Sequence, residues 1–191
     1  MNKKLTFLLL FSGSSGVFGD DFQDGFDAYD REDYKTAYKL WLPLAEQGNA
    51  SAQFNLALMY EKGQGVPQDY KEAEEWFRLS AEQGFAFAQF NLGVMYEDGL
   101  GVPQDDKEAV RLYRLSAEQG FAKAQFNLGF MYYKGQGVPQ DYVLAHMWWN
   151  LSGSNGYKDA VTNRNIIEKK MTKQQIEKAQ ELARNWKPTT K

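Results

Sequence analysis

Residues 86–105 read AFAQFNLGVMYEDGLGVPQD, and this stretch decides the fold. Ala88, Leu92, Met95 and Tyr96 recur at the three- and four-residue spacing of one helix face. Gly99 ends that helix and Gly101 follows. Pro103 cannot extend it, because proline lacks the N–H and crowds the preceding turn. Asp105 then offers a side chain to cap a new helix, with Glu108 three residues on at capping-box spacing.

The stretch is one copy of a repeat. Gly-x-Gly-Val-Pro-Gln-Asp occurs at 63–69, 99–105 and 135–141, so Pro67, Pro103 and Pro139 are 36 residues apart. AQFNL recurs at 52–56, 88–92 and 124–128, and RLSAEQGFA at 78–86 and 114–122. A fixed period of this length means stacked supersecondary units. Each unit reads as a first helix opened by Asp69, Asp105 or Asp141, a break at Gly48, Gly84 or Gly120, and a second helix like the one quoted. In the second unit Ala73, Trp76, Phe77 and Ser80 share the packed face of the first helix. Such a pair cannot bury its own apolar face, but stacked pairs form a continuous core. The recurring Phe54, Phe90, Phe126, Tyr60, Tyr96 and Tyr132 read as core, as do Trp41, Phe77, Tyr113, Trp149 and Trp148.

The expected architecture is all-α: an α-solenoid of about four helix-turn-helix repeats of 36 residues with a C-terminal capping helix. Its segments are a leader at 1–19, an N-terminal capping segment at 20–32, repeats at 33–68, 69–104 and 105–140, a degenerate fourth repeat at 141–170, a capping helix at 171–187 and a disordered tail at 188–191. Pro43 falls inside the first helix of the first repeat and is expected to kink it. Phe22, Phe26 and Tyr29 indicate a short leading helix. Arg164 stands where the repeats carry Leu56, Leu92 and Leu128, which marks a polar outer end. Thr172 and Gln175 fit a capping box before the last helix.

Residues 1–19 differ from the rest. Lys3 and Lys4 precede the apolar run Leu5–Phe11, small residues follow, and Val17 and Gly19 fit a cleavage before Asp20; this reads as a secretory signal peptide. The run is too short to span a bilayer. The expected location is therefore the periplasm or outside the cell.

Composition excludes several classes. There is no Cys, hence no disulfide framework, thiolate metal site or Cys nucleophile. The net charge is -3 with both signs interspersed, which leaves no basic footprint for nucleic acid. Five Trp, eleven Tyr and thirteen Phe supply enough apolar area for a core without staples.

The pattern Ala-x-x-x-Leu-Gly-x-Met-Tyr followed by Gly-x-Gly-Val-Pro-x-Asp, borne by Ala88–Asp105, resembles the SEL-like repeat (SLR) family, relatives of the tetratricopeptide repeats. The resemblance covers about Asp33–Tyr157. It implies a right-handed superhelix whose concave face holds protein partners, and adaptor roles in envelope or host-interaction processes. Some cysteine-rich members are associated with β-lactams and penicillin-derived substrates. This chain lacks those cysteines, so that activity is not carried over.

No catalytic set emerges. His146 is the single histidine, so no His pair can hold a metal, and Ser152 does not share its helix face. Glu74 and Glu75 are adjacent, and adjacent helical positions point apart. No cofactor is expected. The leading reading is a monomeric exported scaffold that binds a protein or peptide through the first-helix surface. The variable positions there are Glu74, Glu75, Arg78, Arg111, Arg114, His146 and Asn150, with Arg78, Arg111 and Arg114 suited to a peptide carboxylate. The competing reading is a weak hydrolase of cell-wall or β-lactam-like substrates working through His146, Glu74 or Glu75.

Overall fold

In the computed structural model the backbone is described for residues 18–189 and side chains from residue 21. Among the described residues ten helices follow in order: α1 (Phe18–Asp30), α2 (Tyr34–Glu46), α3 (Ala50–Lys62), α4 (Tyr70–Glu82), α5 (Ala86–Asp98), α6 (Asp106–Glu118), α7 (Ala122–Lys134), α8 (Tyr142–Ser154), α9 (Lys158–Glu168) and α10 (Lys173–Asn185). Each helix from α1 to α9 packs on its chain neighbours, which makes an all-α repeat solenoid. Odd-numbered helices form one row and even-numbered helices the other. Residues 1–17, most of the expected leader, lie outside the described residues. The expected cleavage point before Asp20 falls in the first turn of α1.

Local chemistry sets the boundaries. Asp69 accepts from the N–H groups of Lys71 (2.9 Å) and Glu72 (3.2 Å), and Asp105 does the same for Lys107 and Glu108. These bonds satisfy donors that a helix N-terminus otherwise leaves orphaned. At these caps the expected partner glutamate turns elsewhere in one case: Glu108 takes Arg111 instead. The reciprocal capping box forms at Thr172 and Gln175. At the even-helix ends, Gly84 donates to the Ala81 carbonyl and Phe85 to the Ser80 carbonyl. Gly84 has φ +88°, the left-handed conformation of a Schellman end. α2 runs on through Pro43 to Glu46, since a proline in the last turn removes only one internal bond.

The second glycine of each Gly-x-Gly loop has a separate cause. Gly101 has φ +73°, and a Cβ there would collide with the Tyr70 carbonyl one helix pair earlier. Gly65 and Gly137 meet the Tyr34 and Asp106 carbonyls in the same way. The loop therefore lies flat on the start of the preceding even helix, which stacks one unit on the next.

The core sits between the rows. Trp41, Phe77, Tyr113 and Trp149 are fully or almost fully buried, with Ala37, Ala73, Ala109 and Ala145 beside them. The Trp41, Tyr113 and Trp149 rings lie against Gly25, Gly93 and Gly129, where a Cβ would stand within 3 Å of ring atoms. α10 departs from the solenoid. It folds back on α8, and the tail expected to be disordered is held as far as Thr189.

Candidate functional site

An apolar groove of about 430 Å³ opens on the odd-numbered row. α1 supplies Phe26, Tyr29 and Asp30; α3 supplies Phe54, Asn55, Leu58 and Lys62; α5 supplies Phe87, Phe90 and Asn91. Phe121 and Lys123 close the far end, and Trp41 forms the floor. Asn55 and Asn91 are one period apart, so the repeat itself places an amide at regular intervals along the groove.

Several sequence-assigned core rings belong here. Phe54 and Phe90 are only half-buried, because the face of each helix that turns away from the inter-row core opens into the groove. Tyr60 and Tyr96 are likewise partly exposed, whereas Tyr132 is buried. The rings run continuously: Phe54 lies 5.3 Å from Phe85 and 6.1 Å from Phe87 between centroids. Phe87 lies 4.8 Å from Phe121, which lies 5.2 Å from Phe90. Aromatic pairs at these separations hold one another in place.

Phe85, Phe87 and Phe121 escaped the sequence reading, although a signal for two of them was present. Asn49 caps α3 with its side chain, donated to by the Ala52 N–H at 2.9 Å. Phe85 and Phe121 hold the same N-cap position of α5 and α7 without any side-chain cap bond. A polar cap contributes about 1 kcal/mol. Its replacement by a ring in two successive units trades local helix stability for apolar surface.

The positions singled out from the sequence lie on the other row: Glu74, Glu75 and Arg78 on α4, Arg111 and Arg114 on α6, and His146 and Asn150 on α8. The three arginines are not free forks. Arg78 stands 3.5 Å from both Glu74 and Glu82. Arg111 grips Glu108 through two nitrogens at 2.6 and 2.8 Å. Arg114 donates to the Tyr132 hydroxyl at 2.6 Å. Glu75 is exposed, and partial burial raises the Glu74 carboxyl above the ordinary carboxylate range. Asn150 accepts from Arg164 at 2.7 Å.

His146 is completely buried. Its Nε2 lies 2.8 Å from Glu168 Oε1 on α9, and its Nδ1 has no hydrogen-bond partner. The ring ties α8 to α9. Glu74 and Glu75 sit two units away in the chain, so the three residues of the hydrolase reading do not assemble. Among the described residues no cluster of three His, Asp or Glu side chains could hold a metal ion. No described helix is long and apolar enough to cross a membrane.

Known proteins agree with this geometry. The Sel1 repeat family model matches residues 22–49, 50–85, 86–121 and 122–157. Its units begin at α1, α3, α5 and α7, so the helix at the head of each unit is the one that lines the groove. A Sel1 repeat protein from Oxalobacter formigenes is similar at 34% identity and TM-score 0.73, over 76% of this chain and 60% of that one. A protective antigen of uropathogenic Escherichia coli strains displaying an SLR fold is similar at 31% identity and TM-score 0.63, over 90% of this chain and 45% of that one. The chain thus spans less than two thirds of either protein. No curated protein sequence matches it. With four repeat units matched in register, the chain belongs to the Sel1 repeat family.

Proposed function

We propose that the chain is a non-catalytic, exported scaffold that binds a protein or peptide segment in the groove of α1, α3, α5 and α7. The observation that carries this reading is the groove itself: a continuous series of half-buried rings with Asn55 and Asn91 along it and Lys62, Lys123 and Asp30 at its edges. Half-buried aromatics supply large contact area at low entropic cost. Regularly placed amides suit the backbone of an extended chain. The fold family supports a scaffold role, and the buried, Glu168-bound His146 supports the absence of catalysis. Export is supported by the basic and apolar character of residues 1–19. The similar protein that is a protective antigen also fits exposure outside the cytoplasm.

Selection of short peptides from a random display library tests the proposal. Peptides that bind the folded chain and lose binding to a Phe54→Asp/Phe90→Asp variant support it. Peptides that bind both forms equally contradict it, provided the variant keeps its helical circular dichroism.

A further inference from the structure

The odd-numbered row carries a second opening farther along, and its charge differs from that of the first. Phe130, Tyr133 and Lys134 of α7 line about 220 Å³ together with Asn163 and Ile166 of α9. Phe130 and Lys134 stand two periods beyond Leu58 and Lys62, and Asn163 stands two periods beyond Asn91. Leu58, Lys62 and Asn91 line the first opening, so the two are built from equivalent helix positions. Ile166 is 50% exposed, which leaves apolar surface uncovered at this end.

The ends of the odd helices set the charge along the rim. α1 closes on Tyr29 and Asp30, α3 on Glu61 and Lys62, α5 on Glu97 and Asp98, and α7 on Tyr133 and Lys134. One period on, just past the end of α9, come Lys169 and Lys170. The first three pairs hold Asp30, Glu61, Glu97 and Asp98 against the single base Lys62. The last two hold Lys134, Lys169 and Lys170 and no acid. The rim therefore turns from acidic to basic along the array.

At the basic end two cations gather on one ring. Lys170 Nζ donates to the Tyr133 hydroxyl oxygen at 3.1 Å. Lys134 Nζ stands 5.5 Å from the ring centroids of both Phe130 and Tyr133. Tyr142 and Trp149 hold the Tyr133 ring in place, with centroids 5.8 and 5.6 Å away. Among the described residues neither lysine forms an ion pair with a carboxylate. On the other row, by contrast, Arg78 and Arg111 already hold glutamates. The Lys170 hydrogen bond and the two ammonium charges lower the Tyr133 hydroxyl from the ordinary phenol value, which makes it a stronger donor. Its oxygen accepts from Lys170, so its own hydrogen is left to point at an incoming group. Two like charges and a free O–H beside open apolar surface are complementary to a carboxylate carried next to an apolar side chain.

Resting on the groove as the ligand surface, we propose that the α7–α9 opening gives the bound segment its direction. It seats an Asp or Glu of the partner protein against Lys134, Lys170 and the Tyr133 hydroxyl, with an adjacent apolar side chain over Phe130 and Ile166. The partner segment thus has an acidic, apolar end, and that end lies over α7 and α9.

The probes are peptides selected from a random display library on the full chain, kept only if they lose binding to Phe54→Asp/Phe90→Asp. They are expected to share an acidic residue beside an apolar one. In fluorescence anisotropy they are expected to weaken by about tenfold or more on Lys134→Glu/Lys170→Glu, because juxtaposed like charges repel; both positions are exposed. Tyr133→Phe keeps the ring and is expected to weaken them by a smaller factor. Changing the shared acidic residue of the peptide to Lys is expected to abolish binding to the parent and restore it on the double variant, a reversal that damage to the fold does not produce. Groove-dependent peptides with no acidic residue in common, or with equal affinity for the double variant, overturn the placement of the acid and leave the groove proposal standing. An equal loss on Lys62→Glu/Lys123→Glu shows general attraction to the acid and also overturns the placement. A selection that yields no groove-dependent peptide overturns both.

Discussion

Ser116 donates its hydroxyl to the Ala86 carbonyl at 2.7 Å, and the bond recurs in the neighbouring units as Ser80 to Ala50 (2.8 Å) and Ser152 to Ala122 (2.7 Å). Each bond ties an even helix to the start of an odd helix earlier in the chain. A buried hydroxyl needs a partner, and here the partner lies at the start of the helix just before it in the chain, so the bond fixes how the two helices of one unit pack. Ser116→Ala is expected to lower the unfolding free energy by about 1–2 kcal/mol in urea titrations. An unchanged midpoint at unchanged slope would show that the bond contributes nothing net.

The glycines separate conformational strain from collision. Gly120 has φ +89° and open space where a methyl group would stand, whereas Gly101 combines φ +73° with the Tyr70 carbonyl in the way. Gly120→Ala is expected to cost about 1–2 kcal/mol, the penalty of a left-handed alanine. Gly101→Ala adds a backbone shift and is expected to cost about 3 kcal/mol or more. Thermal unfolding of the pair checks the order; equal losses would contradict the close approach of loop and helix.

Glu61 carries a pH dependence. Burial is the largest cause that raises its carboxyl above the ordinary 4.5, and the Lys62 charge opposes it only in part. As pH rises through 4.5 the unfolded chain releases this proton before the folded chain does, so Glu61 lowers stability from there upward until the folded group also ionises. Glu61→Gln removes that loss. The variant is expected to match the parent below pH 4.5 and exceed it at neutral pH in denaturant titrations. A stability gap that shrinks with rising pH would contradict the burial assignment.

His146 joins α8 to α9 through Glu168 at 2.8 Å. His146→Ala leaves a cavity at a fully buried site and is expected to cost about 2–4 kcal/mol. Peptide binding in the groove, measured at low temperature where the variant stays folded, is expected to persist. Loss of binding without loss of fold would give His146 a role at the ligand.

The fold is legible in the sequence because it is written several times over. Three copies of Gly-x-Gly-Val-Pro-Gln-Asp and their aspartate caps specify breaks and starts that no tertiary contact needs to override. The site is less legible for a physical reason. Trp41 and Phe54 are both periodic aromatics, and periodicity alone cannot tell a ring facing the partner row from one facing the groove. The choice of row suffers in the same way. Variation between units at Glu74, Val110 and His146 points to the even helices, whereas the groove is built from residues such as Asn55 and Asn91 that hardly vary. The fold-back of α10 leaves no sequence mark beyond Trp186, because the repeat ends before it.

The central claim is that the odd-helix groove is the ligand surface. Amide chemical-shift mapping with a peptide selected on the folded chain tests it most directly. The account predicts perturbations concentrated at Tyr29, Phe54, Leu58, Phe90, Asn91 and Lys123. Perturbations confined to Glu74, Arg78, Arg111 and Arg114, with the groove signals unmoved, would contradict it.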